Sequence, residues 1–132
     1  KHSIEACYER GLTAFDTDVF FETQSHRQYR GLLFSHILEH MNPDEAREIL
    51  TAYLPQLEVG GKVILICPQE VGYRSDETHV HFMEFDDLLN LCRDCGLNVT
   101  STYSFPFPRP VGKLFIYNEF VVIAEKPAAD SV

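Results

Sequence analysis

The sequence predicts an α/β fold in which a mostly parallel sheet carries helices on both faces and ends in an antiparallel strand pair. Apolar runs of strand length alternate with segments of helical periodicity, an order typical of parallel sheets flanked by helices. The last two predicted strands have no helix between them, which favours an antiparallel pair at one edge. With 132 residues, 45% of them hydrophobic, the chain can form one domain with a substantial core.

The first part of the chain predicts one helix and two strands. Residues 3–10 have apolar positions at helical spacing and are followed by Gly11, a typical C-cap. Residues 12–18, "LTAFDTD", predict a strand that ends in acids, and residues 21–31 predict a polar loop or weak helix. Residues 32–38, "LLFSHIL", are an apolar run without alternation, which indicates a buried strand.

A strongly patterned helix and a strand come next. Asn42 can cap the helix, and Pro43 suits its first position. Apolar residues then recur at spacings of three and four over residues 46–57, which predicts one buried stripe. We expect the glycine pair 60–61 to end this helix and residues 62–68, "KVILICP", to form an apolar strand.

The last part of the chain predicts a long loop, a helix and two strands. Residues 69–82 are polar and crowded with aromatic and ionisable groups, and long loops of this kind are usually functional. Residues 84–95 predict a helix stopped by Gly96. Residues 98–105 and 114–126 predict strands that are joined by a proline-rich connection.

Charge and segment lengths limit the class of protein. The net charge is −9, with 11 Lys and Arg against 20 Asp and Glu, which argues against a nucleic-acid partner. No apolar run approaches the roughly 18–20 residues of a membrane span, and the first residues contain no apolar core of a secretory signal. We expect a cytoplasmic protein without a membrane partner, with one domain over residues 1–127 and a tail at 128–132. Self-association is left open.

Residues 36–40, "HILEH", match H-x-x-E-H, the zinc-ligand pattern of one class of metallopeptidases. That chemistry needs an α-helix, which would put both histidines on one face. Pro43 follows shortly after and disfavours a helix just before it, so a strand end is the better interpretation. We therefore predict no metal site. A zinc hydrolase that uses His79 or His81 as a further ligand is a remote alternative.

Cysteine spacing also argues against a metal site. Cys92 and Cys95 form a C-x-x-C at the end of a predicted helix, but there is no second pair to complete a four-thiolate site. Cys67 lies in an apolar run as a small hydrophobic residue would. We expect packing roles for all three.

Polar side chains follow several predicted strands. Ser35 and His36 would lie at the end of one strand, Asp18 at the end of another, and Pro68 at the end of a third. Ligands of open α/β sheets bind in the crevice at the carboxyl ends of the strands. The sequence therefore predicts a binding site at this edge.

Four segments, in this order, resemble class I S-adenosylmethionine-dependent methyltransferases over about residues 3–127. They are "ACYERGLTAFDTDVF", "LLFSHILEHM", "LPQLEVGGKVILICP" and "DETHVHFMEFDDLLNLCRDCGL". The resemblance implies a Rossmann-like sheet and S-adenosylmethionine as cofactor. The family's glycine-rich turn and its second strand, with the ribose-binding acid of that strand, are absent from the chain. Since the chain also begins with Lys1 rather than Met, we expect it to be the C-terminal two-thirds of such a domain within a longer protein.

The resemblance also implies roles by position. Asp18 matches the acid that lies near the adenine, and Val19 follows where the backbone N–H meets the ring edge. Ser35 and His36 match the strand end beside the methionine part of the cofactor.

Methyl transfer is an in-line displacement in which the enzyme positions the nucleophile and sometimes removes a proton. Histidine suits the proton step, so His40 and His79 are the candidate catalytic residues. Tyr73, Arg74 and His81 are candidates for contacting the acceptor. Alternatively, His79 could hold its loop or cap the next helix, and His40 could bond a backbone carbonyl.

Two hypotheses follow from these observations. The first is a methyltransferase whose acceptor is a small molecule, with oxygen, nitrogen or carbon as the methylated atom. The second is a degenerate methyltransferase-like domain that binds without catalysis.

Overall fold

The computed structural model of the protein describes residues 2–129. Within them, no helix is long and apolar enough to cross a membrane. Of the predicted tail, residues 130–132 lie outside the described residues. The elements, in chain order, are α1 (His2–Glu9), α2 (Thr17–Gln24), β1 (Tyr29–Ser35), α3 (Pro43–Tyr53), β2 (Leu57–Pro68), α4 (Glu70–Arg74), α5 (Phe85–Asp94), β3 (Asn98–Phe105) and β4 (Glu119–Glu125).

The four strands form one sheet in the order β1-β2-β4-β3. β1 pairs parallel with β2, and β4 pairs antiparallel with both β2 and β3. The predicted α/β class and the antiparallel C-terminal pair are confirmed. The sheet is mixed, however, because only one parallel pairing forms among the described residues.

The strand predicted over residues 12–18 is wrong. Residues 12–16 have no regular structure, and α2 begins at Thr17. In a doubly wound sheet of order 3-2-1-4-5-6, a third strand pairs with the second and not with the fourth. Residues 2–129 contain no such second strand, so the backbone of this segment has no partner to pair with. Asp18 and Val19 therefore lie in the first turn of α2.

The start of α3 follows the sequence, and its end does not. The Asn42 side chain accepts a hydrogen bond from the Glu45 N–H at 2.9 Å, as an N-cap should. The helix ends at Tyr53 and not at the glycine pair, since Pro55 has no N–H to continue the ladder. β2 then starts at Leu57 and runs through both glycines. The loop predicted over residues 69–82 likewise begins with a short helix, α4.

The core lies on one face of the sheet, beneath α3 and α5. Alternate residues of β1, β2 and β4 point to this face, as the period of two requires. Each fully buried aliphatic side chain contributes about 1.5–3 kcal/mol. On the opposite face Leu33 is 60% exposed, so the helices cover that face less completely than predicted. The core residues of the three strands and two helices are Phe34, Val63, Leu65, Cys67, Phe120, Val122, Ala124, Ala46, Leu50, Leu88, Leu91 and Cys92.

A buried polar network joins β2, β4 and the proline-rich connection at the edge where β1 and β2 end. The Asn118 amide donates to Gln69 Oε1 at 3.0 Å and to the Phe107 carbonyl at 3.1 Å. The Phe107 N–H donates back to Asn118 Oδ1 at 2.9 Å, and the Gln69 amide donates to the Glu119 carbonyl at 2.9 Å. A Cβ at Gly112 would lie only 1.8 Å from Gln69 Oε1, so this position requires glycine. The network sets the position of Glu119.

Replacing Asn118 with alanine should lower the free energy of unfolding by about 2–3 kcal/mol, because it leaves buried partners without hydrogen bonds. Urea denaturation measures this change. Asn90→Ala, at an exposed position of α5, is the control and should change stability by less than about 0.5 kcal/mol. Equal effects of the two substitutions would contradict the role assigned to the network.

Candidate functional site

The carboxyl ends of β1 and β2 lie side by side. Ser35 pairs with Ile66, and the His36 N–H extends the ladder by donating to the Ile66 carbonyl at 3.0 Å. His36 has a φ of 56°, in the left-handed region that residues other than glycine seldom adopt. The chain therefore turns sharply there and enters a short 3-10 turn, Leu38–His40. This confirms the prediction that the H-x-x-E-H pattern does not lie on an α-helix.

Glu39 lies at the centre of a group of histidines. Its side chain is 1% exposed, and three ring nitrogens surround Oε1. His36 Nδ1 is 3.6 Å away, His40 Nε2 is 3.9 Å away, and His79 Nε2 is 3.9 Å away. The sequence indicated all three histidines but not Glu39 as the residue that unites them. The sequence signal that could have identified Glu39 is its position as a single acid next to the apolar residue Leu38.

His36 lies between two carboxylates. Its Nε2 is 2.5 Å from Oε1 of Glu119, the first residue of β4, while its Nδ1 faces Glu39. This contact ties the turn after β1 to the edge of the antiparallel pair. Because the Gln69–Asn118 network positions Glu119, that network also supports His36.

The backbone of residue 39 anchors the loop that follows α4. The Glu39 carbonyl accepts hydrogen bonds from the Val80 N–H at 2.7 Å and the His81 N–H at 3.2 Å. The Asp76 carboxylate caps the preceding turn by accepting from the Thr78 N–H at 2.8 Å, and this bond lowers the pKa of Asp76. The loop is therefore held over the turn after β1.

Backbone carbonyls orient the two histidine rings that face Glu39. His40 Nδ1 is 3.2 Å from the Thr78 carbonyl, and His79 Nδ1 is 2.6 Å from the Tyr73 carbonyl. The His79 ring stacks on the Tyr73 ring, with centroids 5.2 Å apart and planes 20° apart. His79 thus holds its loop, and Glu84, not His79, caps α5.

The three residues predicted to contact the acceptor, Tyr73, Arg74 and His81, are not all close to the histidines around Glu39. Arg74 is exposed at the end of α4 and makes no ion pair within residues 2–129. The Nε2 atom of His81 is buried without a hydrogen-bond partner among the described residues. Tyr73 joins the group through its contacts with His79.

Asp18 and Val19 are not brought to this group. The neighbouring Phe20 and Phe21 pack α2 against Tyr53, at the end of α3. No hydrogen bond or ion pair within residues 2–129 links Asp18 or Val19 to the histidines. Of the four predicted cofactor contacts, Ser35 and His36 alone lie at the end of β1.

A pocket of about 250 Å³ opens beside the histidines. His36, His79, Pro68 and Glu119 line it, together with Tyr117. A larger cavity of about 800 Å³ lies at the opposite edge of the sheet, against residues 126–129. It has no histidine, whereas ionisable groups converge on the smaller pocket, which is the better candidate for chemistry.

Cys67, Cys92 and Cys95 are thiols whose pKa values are raised, so they remain protonated at neutral pH. Burial, and then the negative charge of Glu39, raises the pKa of the Cys67 thiol well above its ordinary range. Burial raises the pKa of Cys92 to about 11 and also raises that of Cys95. Low thiolate content makes a nucleophilic role for them unfavourable, in agreement with packing roles.

Arg109 ties the proline-rich connection to α4 near the pocket. Its guanidinium forms a two-pronged pair with the Glu70 carboxylate and lies 4.6 Å above the Phe120 ring centroid. Hydrogen bonding from Arg109 lowers the pKa of Glu70 below its ordinary value near 4.5.

No family model matches the chain, and no curated protein sequence matches it either. Several solved structures do. An S-adenosylmethionine-dependent methyltransferase from Methanosarcina mazei is 17% identical with a TM-score of 0.57, over 76% of this chain and 60% of that one. A 1,6-didemethyltoxoflavin-N1-methyltransferase from Burkholderia thailandensis is 20% identical with a TM-score of 0.57, over 76% and 45%. An O-methyltransferase family protein from the same organism is 14% identical with a TM-score of 0.63, over 98% and 40%.

At sequence identities of 14–20%, the similarity to these structures shows the fold alone. The described residues have the α/β fold of class I S-adenosylmethionine-dependent methyltransferases, and the resemblance predicted from the sequence is confirmed at that level. The chain spans less than two-thirds of the length of each of these structures.

The Glu70–Arg109 pair predicts a small pH dependence of stability. A carboxyl whose pKa is lower in the folded state contributes stability above its unfolded pKa and loses it as the pH falls through its folded pKa. Glu70→Gln should therefore cost less than about 1 kcal/mol at pH 7, because solvent screens the pair. The difference from wild type should disappear in acid, as measured by denaturation between pH 7 and 3. Glu77→Gln, an exposed loop acid, is the control, and an equal response in it would contradict the assignment.

Proposed function

We propose that the protein is an S-adenosylmethionine-dependent methyltransferase that acts on a small molecule. The observation that carries this proposal is the class I methyltransferase fold, with a histidine-lined pocket at the carboxyl ends of β1 and β2. Two similar structures support the cofactor. The 1,6-didemethyltoxoflavin-N1-methyltransferase structure contains S-adenosylhomocysteine and 1,6-didemethyltoxoflavin. The structure of a magnesium protoporphyrin IX methyltransferase from Synechocystis contains S-adenosylmethionine. The negative net charge of −9 favours a small acceptor over a nucleic acid.

Four residues are proposed to contact the cofactor. Ser35 and His36, at the end of β1, would lie beside its methionine part. Asp18 and Val19 would lie beside the adenine, although they begin a helix and do not end a strand. The chain contains no G-x-G turn, so residues 2–129 offer no glycine-rich cradle for the cofactor.

The histidines supply the proposed chemistry on the acceptor side. His79 lines the pocket, and His40 lies next to it with ring centroids 4.8 Å apart. Either imidazole could remove the proton that an oxygen or nitrogen acceptor loses on methylation. Tyr73, Arg74 and His81 are proposed to contact the acceptor. A cytoplasmic location and self-association stay predictions.

A binding module without catalysis is the second candidate. A glycine-rich turn upstream of this chain in the full-length protein would argue against it, because that turn supplies backbone contacts to the cofactor. Cofactor affinity separates the two candidates.

Calorimetry with S-adenosylhomocysteine on the full-length protein that contains this chain tests the proposal. We expect binding, and we expect His36→Ala to weaken it about tenfold through loss of a charge-assisted or polar contact. His26→Ala, which removes an exposed histidine before β1, should leave affinity unchanged. No binding at millimolar ligand would reject the methyltransferase proposal and leave the binding module.

A further inference from the structure

Glu39 is a buried carboxylate without a satisfying partner. Among residues 2–129, no nitrogen or oxygen donor hydrogen-bonds either of its oxygens, and its side chain is 1% exposed. The Cys67 thiol lies beside the carboxylate and contributes a weak hydrogen bond that helps to raise the pKa of Cys67, but a thiol is too weak a donor to offset the burial of a charge. Burying a carboxylate costs several kcal/mol unless it is paired or coordinates a metal. The site therefore calls for a positive charge.

The tautomers of His40 and His79 follow from their outer contacts. His40 Nδ1 is 3.2 Å from both the carbonyl and the hydroxyl oxygen of Thr78. A carbonyl oxygen can only accept, and the hydroxyl donates its hydrogen to Asp76 Oδ1 at 2.7 Å, so Nδ1 of His40 carries the hydrogen that Thr78 accepts. By the same reasoning, Nδ1 of His79 donates to the Tyr73 carbonyl. Each neutral imidazole then has its lone pair on Nε2, and both Nε2 atoms face Glu39 at 3.9 Å.

Two lone pairs and a carboxylate oxygen thus point at one another across a gap too long for hydrogen bonds. The three ligand atoms lie within 4.8 Å of each other. Two ligands of a tetrahedral zinc ion, each about 2.1 Å from the metal, lie about 3.4 Å apart. Ring rotations would close the observed separations, 3.9 Å from each ring to Glu39 and at most 4.8 Å within the group, to that spacing.

The surroundings already have the features of an outer coordination shell. Metal-ligating histidines usually donate their second N–H to a carbonyl or carboxylate, as both do here. The Glu39 carbonyl also accepts from the Val80 and His81 N–H groups, which fixes the distance between the two ligand-bearing segments. The ligands would need little reorganisation to bind.

We propose that Glu39, His40 and His79 bind a divalent first-row transition-metal ion such as Zn²⁺. Two imidazoles and one carboxylate suit these ions, and three protein ligands leave at least one position open. His36 lies outside this ligand group: its Nδ1 is 3.6 Å from Glu39, but it does not lie within 4.8 Å of all three ligand atoms. In peptidases both histidines of H-x-x-E-H bind the metal, whereas here the proposed ligands are Glu39 and His40 from that pattern and His79 from the loop.

His79 also lines the pocket, so a metal bound to its ring would lie beside the space proposed for the acceptor. A metal there would bind an acceptor oxygen and lower the pKa of its hydroxyl, as metals do for water. This role rests on the proposed function and makes the acceptor a hydroxyl compound. Metal binding itself does not depend on that function.

Zinc titration of the metal-free full-length protein, followed by calorimetry and metal analysis, tests the site. We expect one zinc ion per chain. Glu39→Gln and His79→Ala should each weaken binding at least about 100-fold, since loss of an outer-shell contact alone costs 10–100-fold. His81→Ala, in the same loop but outside the group, and His36→Ala should retain it. Circular dichroism verifies that each variant is folded.

A second readout avoids dependence on any one variant. Zinc should raise the melting temperature of the wild type and not that of Glu39→Gln, because a ligand stabilises only the state that binds it. Wild-type affinity equal to that of Glu39→Gln would overturn the proposal. The proposal would also be overturned if ¹⁵N NMR at pH 7 showed both rings protonated on both nitrogens and the protein took up no zinc.

The two proposals fail separately. His36→Ala should lose affinity for S-adenosylhomocysteine and keep zinc, whereas His79→Ala should do the reverse. Zinc binding without S-adenosylhomocysteine binding would retain the metal site and reject the methyltransferase. S-adenosylhomocysteine binding without zinc would overturn the metal site alone.

Discussion

The parallel pairing of β1 with β2 is the constraint on which the site depends. Because the two strands run in the same direction, the residues that follow each of them meet at one edge of the sheet. His36 continues the ladder by one hydrogen bond and then turns through a left-handed backbone conformation. That turn directs Glu39 inward. Every later contact of the site, from the loop after α4 to the pocket, is built on this geometry.

Burial of Glu39 determines how the surrounding groups are arranged. Its carbonyl holds the loop, and one ring nitrogen from each of three histidines lies within 3.9 Å of its carboxylate. A second layer supports the first, since the Gln69–Asn118 network positions Glu119 and Glu119 holds His36. A buried acid without a strong hydrogen-bond donor is costly in isolation, and such sites more often serve function than stability. This is the physical reason for seeking a cation there.

Local interactions explain which parts of the fold the sequence could predict. The Asn42 cap needs only a residue three positions away, so the start of α3 was predictable. The presence of β1, of β2 and of the antiparallel C-terminal pair was likewise predicted correctly, because hydrophobic pattern specifies strands. Their bounds were not: β1 ends at Ser35 and not at residue 38, β2 begins at Leu57 and not at residue 62, and β4 begins at Glu119 and not at residue 114. The strand predicted over residues 12–18 was wrong because a strand needs a partner, and the family's second strand, which would pair with it, is absent from residues 2–129. The end of α3 was predicted too late, because Pro55 stops the helix at Tyr53, before the glycine pair is reached.

The sequence by itself determined the fold class, the edge of the sheet where the site lies, and the histidines from which it is made. Those features depend on hydrophobic periodicity and on the rule that parallel strands end together, both of which act along the chain. The tertiary structure alone decided that Glu39 unites His40 with His79, 39 positions further on, and that Asp18 lies apart on α2. Burial and ring orientation depend on backbone contacts between distant segments, and these form only when the chain is folded.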